Sequence, residues 1–254
     1  MAEVLADLAR APQRLVTLFT DDDICADRDY SLSLFSEMAG RGLQRRCAVQ
    51  ASLAIADDDG LLRALRASGC LVVMVGLESI SEPTLRSMRK GVNLAVGVGK
   101  YAEKIKHLHA YGLIVAGTFI LGADGDTADT FRRTADFVLE AGVDLPEFGL
   151  LMPTPGTDVY ERLSRERRLL YTDYPRDYAR FDLKTAHFSP LGLTAEQAEA
   201  GLLVATRAVS SWPVALRRAA RTWHDTGSPL AALISLVWTR TSLQARHSGS
   251  GLGS

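Results

Sequence analysis

Five short apolar runs, each closed by a polar turn and followed by an amphipathic stretch, constrain this chain more than any other feature. They cover residues 14–20, 46–55, 71–77, 113–121 and 146–152. They are rich in Val, Ile and Leu and have the length of buried strands. Helices are expected between them. One spans residues 30–39 and ends at Gly40. One is capped by Asp57, Asp58 and Asp59 and stops at Gly69. A short one opens at Glu82 and Pro83, where proline suits the first turn. Longer ones cover 95–110 and 127–140, stopped by Gly112 and Gly142. Strands alternating with helices mean βα units, a parallel sheet and right-handed crossovers.

A doubly wound sheet and a (β/α) barrel both satisfy that pattern. The polar clusters favour the barrel. Asp21 to Asp23, Glu78 with Ser79, Gly122 to Asp126 and Pro153 to Thr157 each follow the C-terminal end of a strand. In a barrel those ends form one face, where active sites sit. In an open sheet only the switch point gathers such groups. The expected fold is therefore α/β, a partial TIM-like (β/α) barrel. Past Glu161 the pattern changes to an irregular stretch with Tyr171, Tyr174, Tyr178 and His187. Helices follow, one capped by Thr194, and then a Gly/Ser tail. The expected organisation is a barrel over 1–165, an irregular segment with a helical C-terminal extension over 166–245, and a flexible tail over 246–254.

Composition narrows the function classes. Lys plus Arg number 29 and Asp plus Glu 30, so no global basic footprint points to nucleic acid. No uninterrupted apolar run approaches the ~18 residues of a membrane span. The first residues lack the basic-then-apolar order of a signal peptide. A cytoplasmic protein without a nucleic-acid partner or a transmembrane segment is expected. Cys25, Cys47 and Cys70 are an odd set with no CxxC-type spacing. They argue against both a disulfide framework and a metal knuckle, so no metal ligand is assigned.

Several segments, in order, resemble the radical S-adenosylmethionine (SAM) superfamily, and most closely its branch associated with a cobalamin-binding domain. They are residues 18–24 (LFTDDDI), 50–53 (QASL), 76–79 (GLES) with Leu85 and Met88 behind, 117–122 (GTFILG) and 153–157 (PTPGT). The resemblance implies a (β/α)6 barrel whose first strand leads into a Cys-x-x-x-Cys-x-x-Cys loop holding a [4Fe-4S] cluster. That cluster binds and reduces SAM to release a 5′-deoxyadenosyl radical. The present cysteines do not reproduce this spacing. By the resemblance, residues 2–10 match the helix after the cluster loop, so the barrel lacks its first strand and the cobalamin domain. The strand from Arg14 to Thr20 is then an open edge. A partner chain or a missing N-terminal segment is expected to cover it.

By the same resemblance, Asp21 and Asp22 meet the SAM amino group, since carboxylates accept its N–H bonds. Glu78 and Ser79 face the SAM ribose and amino-acid end, and Gly117 and Gly122 let the fourth strand approach the adenine. Arg86, Arg89 or Lys90 neutralises the SAM carboxylate. Gln50 and Ser52 alternate with apolar neighbours and share a face, and Pro153 opens a loop that lines a substrate cavity. Each has a plainer alternative: solvated turns, helix caps, a satisfied polar layer, or close packing of glycines. Trp212, Trp223, Leu233, Ile234, Val237 and Trp238 are either core or an amphipathic surface for membrane or lipid substrate. No residue is assigned as catalytic.

Two functions follow. One is a truncated or split radical SAM enzyme performing methylation, rearrangement or cyclisation of a small or lipid-like molecule, with [4Fe-4S] and cobalamin supplied by the missing segments. The other is a cluster-free SAM-binding or partner subunit.

Overall fold

The structure is a computed structural model that describes residues 1–12 and 16–247, with side chains through Thr239. Helix α1 (Ala2–Arg10) precedes strand β1 (Thr17–Leu18) and α2 (Arg28–Gly40). Then come β2 (Cys47–Ala51), α3 (Asp59–Ser68), β3 (Cys70–Glu78), α4 (Glu82–Ser87), α5 (Gly91–Val96) and α6 (Tyr101–Ala110). The barrel part ends with β4 (Ile114–Leu121), α7 (Ala128–Ala141), β5 (Leu145–Leu150) and α8 (Asp158–Arg165). Helices α9 (Ala195–Ser210), α10 (Trp212–Thr226) and α11 (Pro229–His247) complete the chain.

The five strands are all parallel, lie in sequence order and curl into half a barrel. This is the partial (β/α) architecture expected from the alternation of elements. Local chemistry starts and stops the helices where the sequence signals it. Asp58 and Thr127 cap α3 and α7, and Gly69 and Gly142 end them in the left-handed conformation.

The two faces of the sheet carry different layers. Cys47, Val49 and Ala51 of β2, Val73, Val75 and Leu77 of β3, and Val115, Phe119 and Leu121 of β4 join the main core with the surrounding helices. The alternate residues Ala48, Val72, Ile114, Ala116 and Leu145 pack instead against Ala231, Ile234 and Trp238 of α11. Helix α11 therefore fills the lower part of the concave face. The upper part is partly covered, by Leu183 over Gly149 and by Leu85, Met88 and Ala123 against Ile120, and Gln50, Met74, Thr118 and Glu147 stay half-buried.

A buried polar network at the N-terminal end of the strands docks the C-terminal helices. Asp144 accepts hydrogen bonds from Val115 N (2.8 Å) and the Thr222 hydroxyl, and His109 Nε2 lies 2.8 Å away. Arg218 of α10 donates to Val209 O at 2.7 Å and to the Thr239 hydroxyl of α11.

Four expectations need correction. Only Thr17 and Leu18 of the first run form a ladder; Arg14 and Leu15 lie outside the described residues. The second run is a strand only to Ala51, after which Leu53–Asp57 turns as a 3-10 helix. The helix over 95–110 is broken into α5 and α6, because Gly97 takes φ 82°, which no helix admits. The core reading of the C-terminal aromatics holds for Ile234 and Trp238 but not for Trp212, Trp223, Leu233 and Val237, each at least half exposed. The tail over 248–254 lies outside the described residues.

Candidate functional site

The C-terminal ends of β1, β2 and β3 meet the α4–α5 connection in a cleft of about 300 Å³, lined by Asp22, Asp23, Ser52, Gly76, Glu78, Lys90 and Asn93 among others. A larger groove of about 880 Å³ lies outside the barrel, against α6 and α10. Part of its charged lining is engaged, with Lys104 on Asp57 at 2.5 Å and His107 Nε2 2.9 Å from Asp59. The smaller cleft sits where ligands of such folds bind.

Glu78 is the centre of this cleft. It ends β3 with φ 64°, a left-handed conformation that costs a non-glycine residue energy and is held only by its surroundings. The β3–β4 register shifts between Gly76 and Glu78. This bulge turns the carboxylate back over the strand, where Oε1 accepts a hydrogen bond from Lys90 Nζ at 2.7 Å. A Cβ on Gly76 would lie 2.9 Å from that oxygen, so the glycine makes room for the carboxylate.

Asn93 holds the strand end from behind. It is buried, and its Nδ2 donates to Gly76 O (2.7 Å), Leu77 O (3.2 Å) and the Tyr101 hydroxyl (3.1 Å). The Tyr101 hydroxyl in turn donates to Leu77 O at 3.2 Å, and burial pushes its pKa up. These bonds satisfy carbonyls that the bulge removes from the ladder.

Asp23 braces the β1 side of the cleft. Its Oδ1 accepts from Cys25 N (2.9 Å) and Ser52 N (3.0 Å), tying the loop after β1 to the end of β2. Asp22 projects on the rim, exposed, and Asp21 is exposed outside the lining. Ser79 is buried, and its Oγ accepts from Ser81 N at 3.1 Å, shaping the turn before α4.

Of the other residues singled out by sequence, Arg89 and Lys90 also line the cleft, and Gln50, Gly117, Gly122, Pro153 and Arg86 lie away from it. Gln50 is half-buried on the upper part of the concave face, beside Met74 in the β2–β3 register. Gly117 faces the helices, where a Cβ would meet Val143 at 2.8 Å and Leu77 at 2.9 Å. Gly122 turns the chain after β4 with φ 72°, against Leu150 and Ala198. Pro153 is buried after β5. In the basic cluster, Arg86 pairs with Glu82, Arg89 with Asp158, and only Lys90 reaches the cleft carboxylate.

Two further groups carry chemistry that the sequence did not announce. Glu147 follows Leu145 by two on β5, so it points to the same concave face. It lies in register with Thr118, and burial pushes its carboxyl above the ordinary range. In the loop after β4, Asp126 accepts from the Thr84 hydroxyl at 2.9 Å and is pushed up to about 6 by burial. Nearby Asp124 would be raised by burial too. Hydrogen bonds from Arg168, Leu191 N and Arg162 instead hold it down at about 2.

The thiols do not suit a cluster. Burial and the adjacent Asp23 push Cys25 up to about 12, far from the thiolate that iron requires. Cys47 and Cys70 are neighbours across β2 and β3 and fully buried on the helix side. Among the described residues no three His, Cys, Asp or Glu side chains could together hold a metal ion. A [4Fe-4S] cluster does not fit this donor set.

The half-barrel matches that of TsrM from Kitasatospora setae, a radical SAM methyltransferase solved with cobalamin and a [4Fe-4S] cluster. The TM-score is 0.54 at 20% identity, over 65% of this chain and 30% of that one. In sequence, the chain is 28% identical over 179 residues to the bacteriochlorophyllide d C-12(1)-methyltransferase of Chlorobaculum tepidum, covering 70% of this chain and 37% of the relative. It is 30% identical over 159 residues to the hopanoid C-2 methylase of Rhodopseudomonas palustris, covering 61% and 30%. In sequence the chain is thus similar to two methylating enzymes, and its fold is that of a radical SAM methyltransferase. No family model matches it. It spans about a third of the length of these two relatives, 37% and 30%. Among its described residues no helix is long and apolar enough to cross a membrane.

Proposed function

We propose that this chain is the SAM-holding part of a cobalamin-associated radical SAM methyltransferase, and that its substrate is a large apolar ring system. The observation that carries the SAM assignment is the Glu78–Lys90 pair inside the cleft, with Asp22 on its rim. A ligand bearing both an ammonium and a carboxylate finds both partners there. Asp22 and Glu78 accept from the ammonium, Lys90 donates to the carboxylate, and Ser52 offers a hydroxyl. The volume of about 300 Å³ suits a nucleoside-sized ligand and not a corrin macrocycle. When bound, SAM supplies a sulfonium that can give up a methyl or an adenosyl group.

The substrate class rests on the concave face. Above α11 this face carries the half-buried Met74 and Thr118 beside the desolvated Glu147. The two relatives named above are named for acting on a bacteriochlorophyllide and a hopanoid, both large apolar polycycles. Methyl transfer is preferred over rearrangement or cyclisation because both are methylating enzymes.

The thiol chemistry decides how the cluster enters the reading. Its thiolates come from a polypeptide segment other than the residues described here, and that segment docks on the open edge of β1, where Val16 and Leu18 are exposed. The same thiol chemistry favours a second reading, a cluster-free SAM-binding subunit. The test is equilibrium binding of radiolabelled SAM, followed by assay for SAM cleavage under strong reductant after anaerobic iron–sulfide reconstitution. The proposal expects binding that falls roughly tenfold or more in Glu78→Gln and Lys90→Met. It expects cleavage only when a cluster-bearing segment is added. Binding without cleavage under every condition supports the second reading. No binding at all overturns both.

A further inference from the structure

Helix α10 presents its large apolar side chains to solvent. Trp212, Leu216 and Trp223 are spaced four and seven residues apart, so they lie on one stripe of the helix. They are 55%, 57% and 56% exposed. The face that α10 buries is made of small and polar residues, Ala215, Arg218, Ala219 and Thr222. Arg217 flanks the stripe and is exposed, while Arg221 is held by the carbonyls of Leu139 and Glu140 at the C-terminal end of α7.

The charge around this stripe departs from that of the whole chain. The full sequence is close to neutral, with a formal net charge of −1. From the start of α9 the sequence holds six arginines against three carboxylates, Glu196, Glu199 and Asp225. Beside the stripe Arg217 is exposed, while Arg218 is buried and Arg221 pairs with Asp225. Exposed tryptophans beside arginines on one helix are the chemistry of the membrane–water interface. Arg217 and the net positive charge of the C-terminal helices favour an anionic surface.

We infer that α10 docks the protein on anionic phospholipid, with Trp212, Leu216 and Trp223 entering the headgroup boundary and Arg217 meeting lipid phosphate. This places the helix parallel to the bilayer, below the N-terminal ends of the strands and opposite the cleft. The cleft stays open to solvent while the protein rests on the surface. The inference stands on α10 alone and does not depend on SAM binding.

The test is sedimentation of the full chain with vesicles of phosphatidylcholine alone and of phosphatidylcholine with phosphatidylglycerol. Tryptophan fluorescence is read on the same samples. The expected result is binding to the anionic vesicles, a blue-shifted emission, and weakening as salt rises. The triple variant W212S/L216S/W223S should bind on the order of tenfold more weakly, or less still. Its thermal unfolding midpoint should stay close to the parent's, because the three side chains are exposed. Arg217→Glu should weaken binding to the anionic vesicles alone. Equal sedimentation of parent and triple variant would overturn the inference. So would failure to bind anionic vesicles at low salt. So would a concentration-dependent dimer abolished by the triple variant, since the stripe would then belong to a second copy.

Discussion

Glu78 reaches Lys90 across the position of Gly76, and the missing side chain of that glycine is the condition for the contact. Oε1 lies 2.7 Å from Lys90 Nζ and would lie 2.9 Å from a Cβ at residue 76. Two residues apart on one strand face, the glycine and the carboxylate thus behave as a unit. The glycine supplies the space and the bulge supplies the direction.

Gly76→Ala tests this unit. The new methyl pushes the Glu78 carboxylate off Lys90, at a stability cost of about 1 kcal/mol because a flexible side chain can yield. SAM affinity should fall roughly tenfold, near the value of Glu78→Gln. Calorimetric titration with SAM and a urea unfolding curve separate the two effects. Unchanged affinity would show that the carboxylate plays no part in binding.

Asn93→Ala removes the donor for two strand-end carbonyls and the Tyr101 hydroxyl. Buried groups left unpaired cost about 1–3 kcal/mol. The urea midpoint should drop accordingly, and SAM binding should weaken with it because Glu78 loses its rigid base. Asn93→Asp should be no better, since a carboxylate has no N–H to donate. A variant with parent stability would place the restraint elsewhere.

Asp126 and Asp124 predict opposite pH dependences within one loop. The folded pKa of Asp126, about 6, lies above the ordinary 3.8. Its contribution is full below about pH 4 and is lost as the pH rises through 6. Asp124, held at about 2, contributes above the ordinary 3.8, and that contribution is lost as the pH falls toward 2. Asp126→Asn keeps a side-chain carbonyl oxygen to accept from the Thr84 hydroxyl without a buried charge. It should match or exceed the parent at pH 7 and lose that advantage by pH 4. Urea unfolding at both pH values checks the sign. A variant equally destabilised at both would mean that Asp126 is needed ionised.

Glu147→Gln should leave SAM affinity unchanged, since Glu147 stands on β5 and outside the cleft lining. Burial raises this carboxyl, so ionising it costs stability as the pH rises. The variant's unfolding midpoint should therefore gain on the parent as the pH rises above the ordinary carboxylate range. A variant that binds SAM more weakly would move the ligand across the concave face toward β5.

Strands β3 and β4 were legible because each is a compact run with β-branched residues closed by Glu or Gly, as at Leu77–Glu78 and Leu121–Gly122, whereas β5 (LPEFGL) has no β-branched residue. Helix caps were legible for the same local reason, at Asp58 and Gly69 and at Thr127 and Gly142. Glu78 stood out as a carboxylate at the end of an apolar strand. Asn93 and Glu147 carry no such local mark. Their roles arise from a carbonyl pair 16 and 17 residues away and from the sheet curling over a polar row. Helix α10 inverted the usual rule. Its buried side is alanine, threonine and a paired arginine, so the large apolar residues that suggested core are the exposed ones. The break before α6 had its signal in Gly97 and Gly99, but apolar periodicity runs through both and hid it.

Hydrogen–deuterium exchange with and without SAM tests the central claim most directly, because it locates the ligand without presupposing chemistry. The account predicts slowed exchange in three segments, residues 51–53, 76–79 and 89–93, and little change in α6 and α10. Protection of residues 103–110 instead, along the larger outer groove, or no protection anywhere at saturating SAM, would contradict the assignment of the cleft.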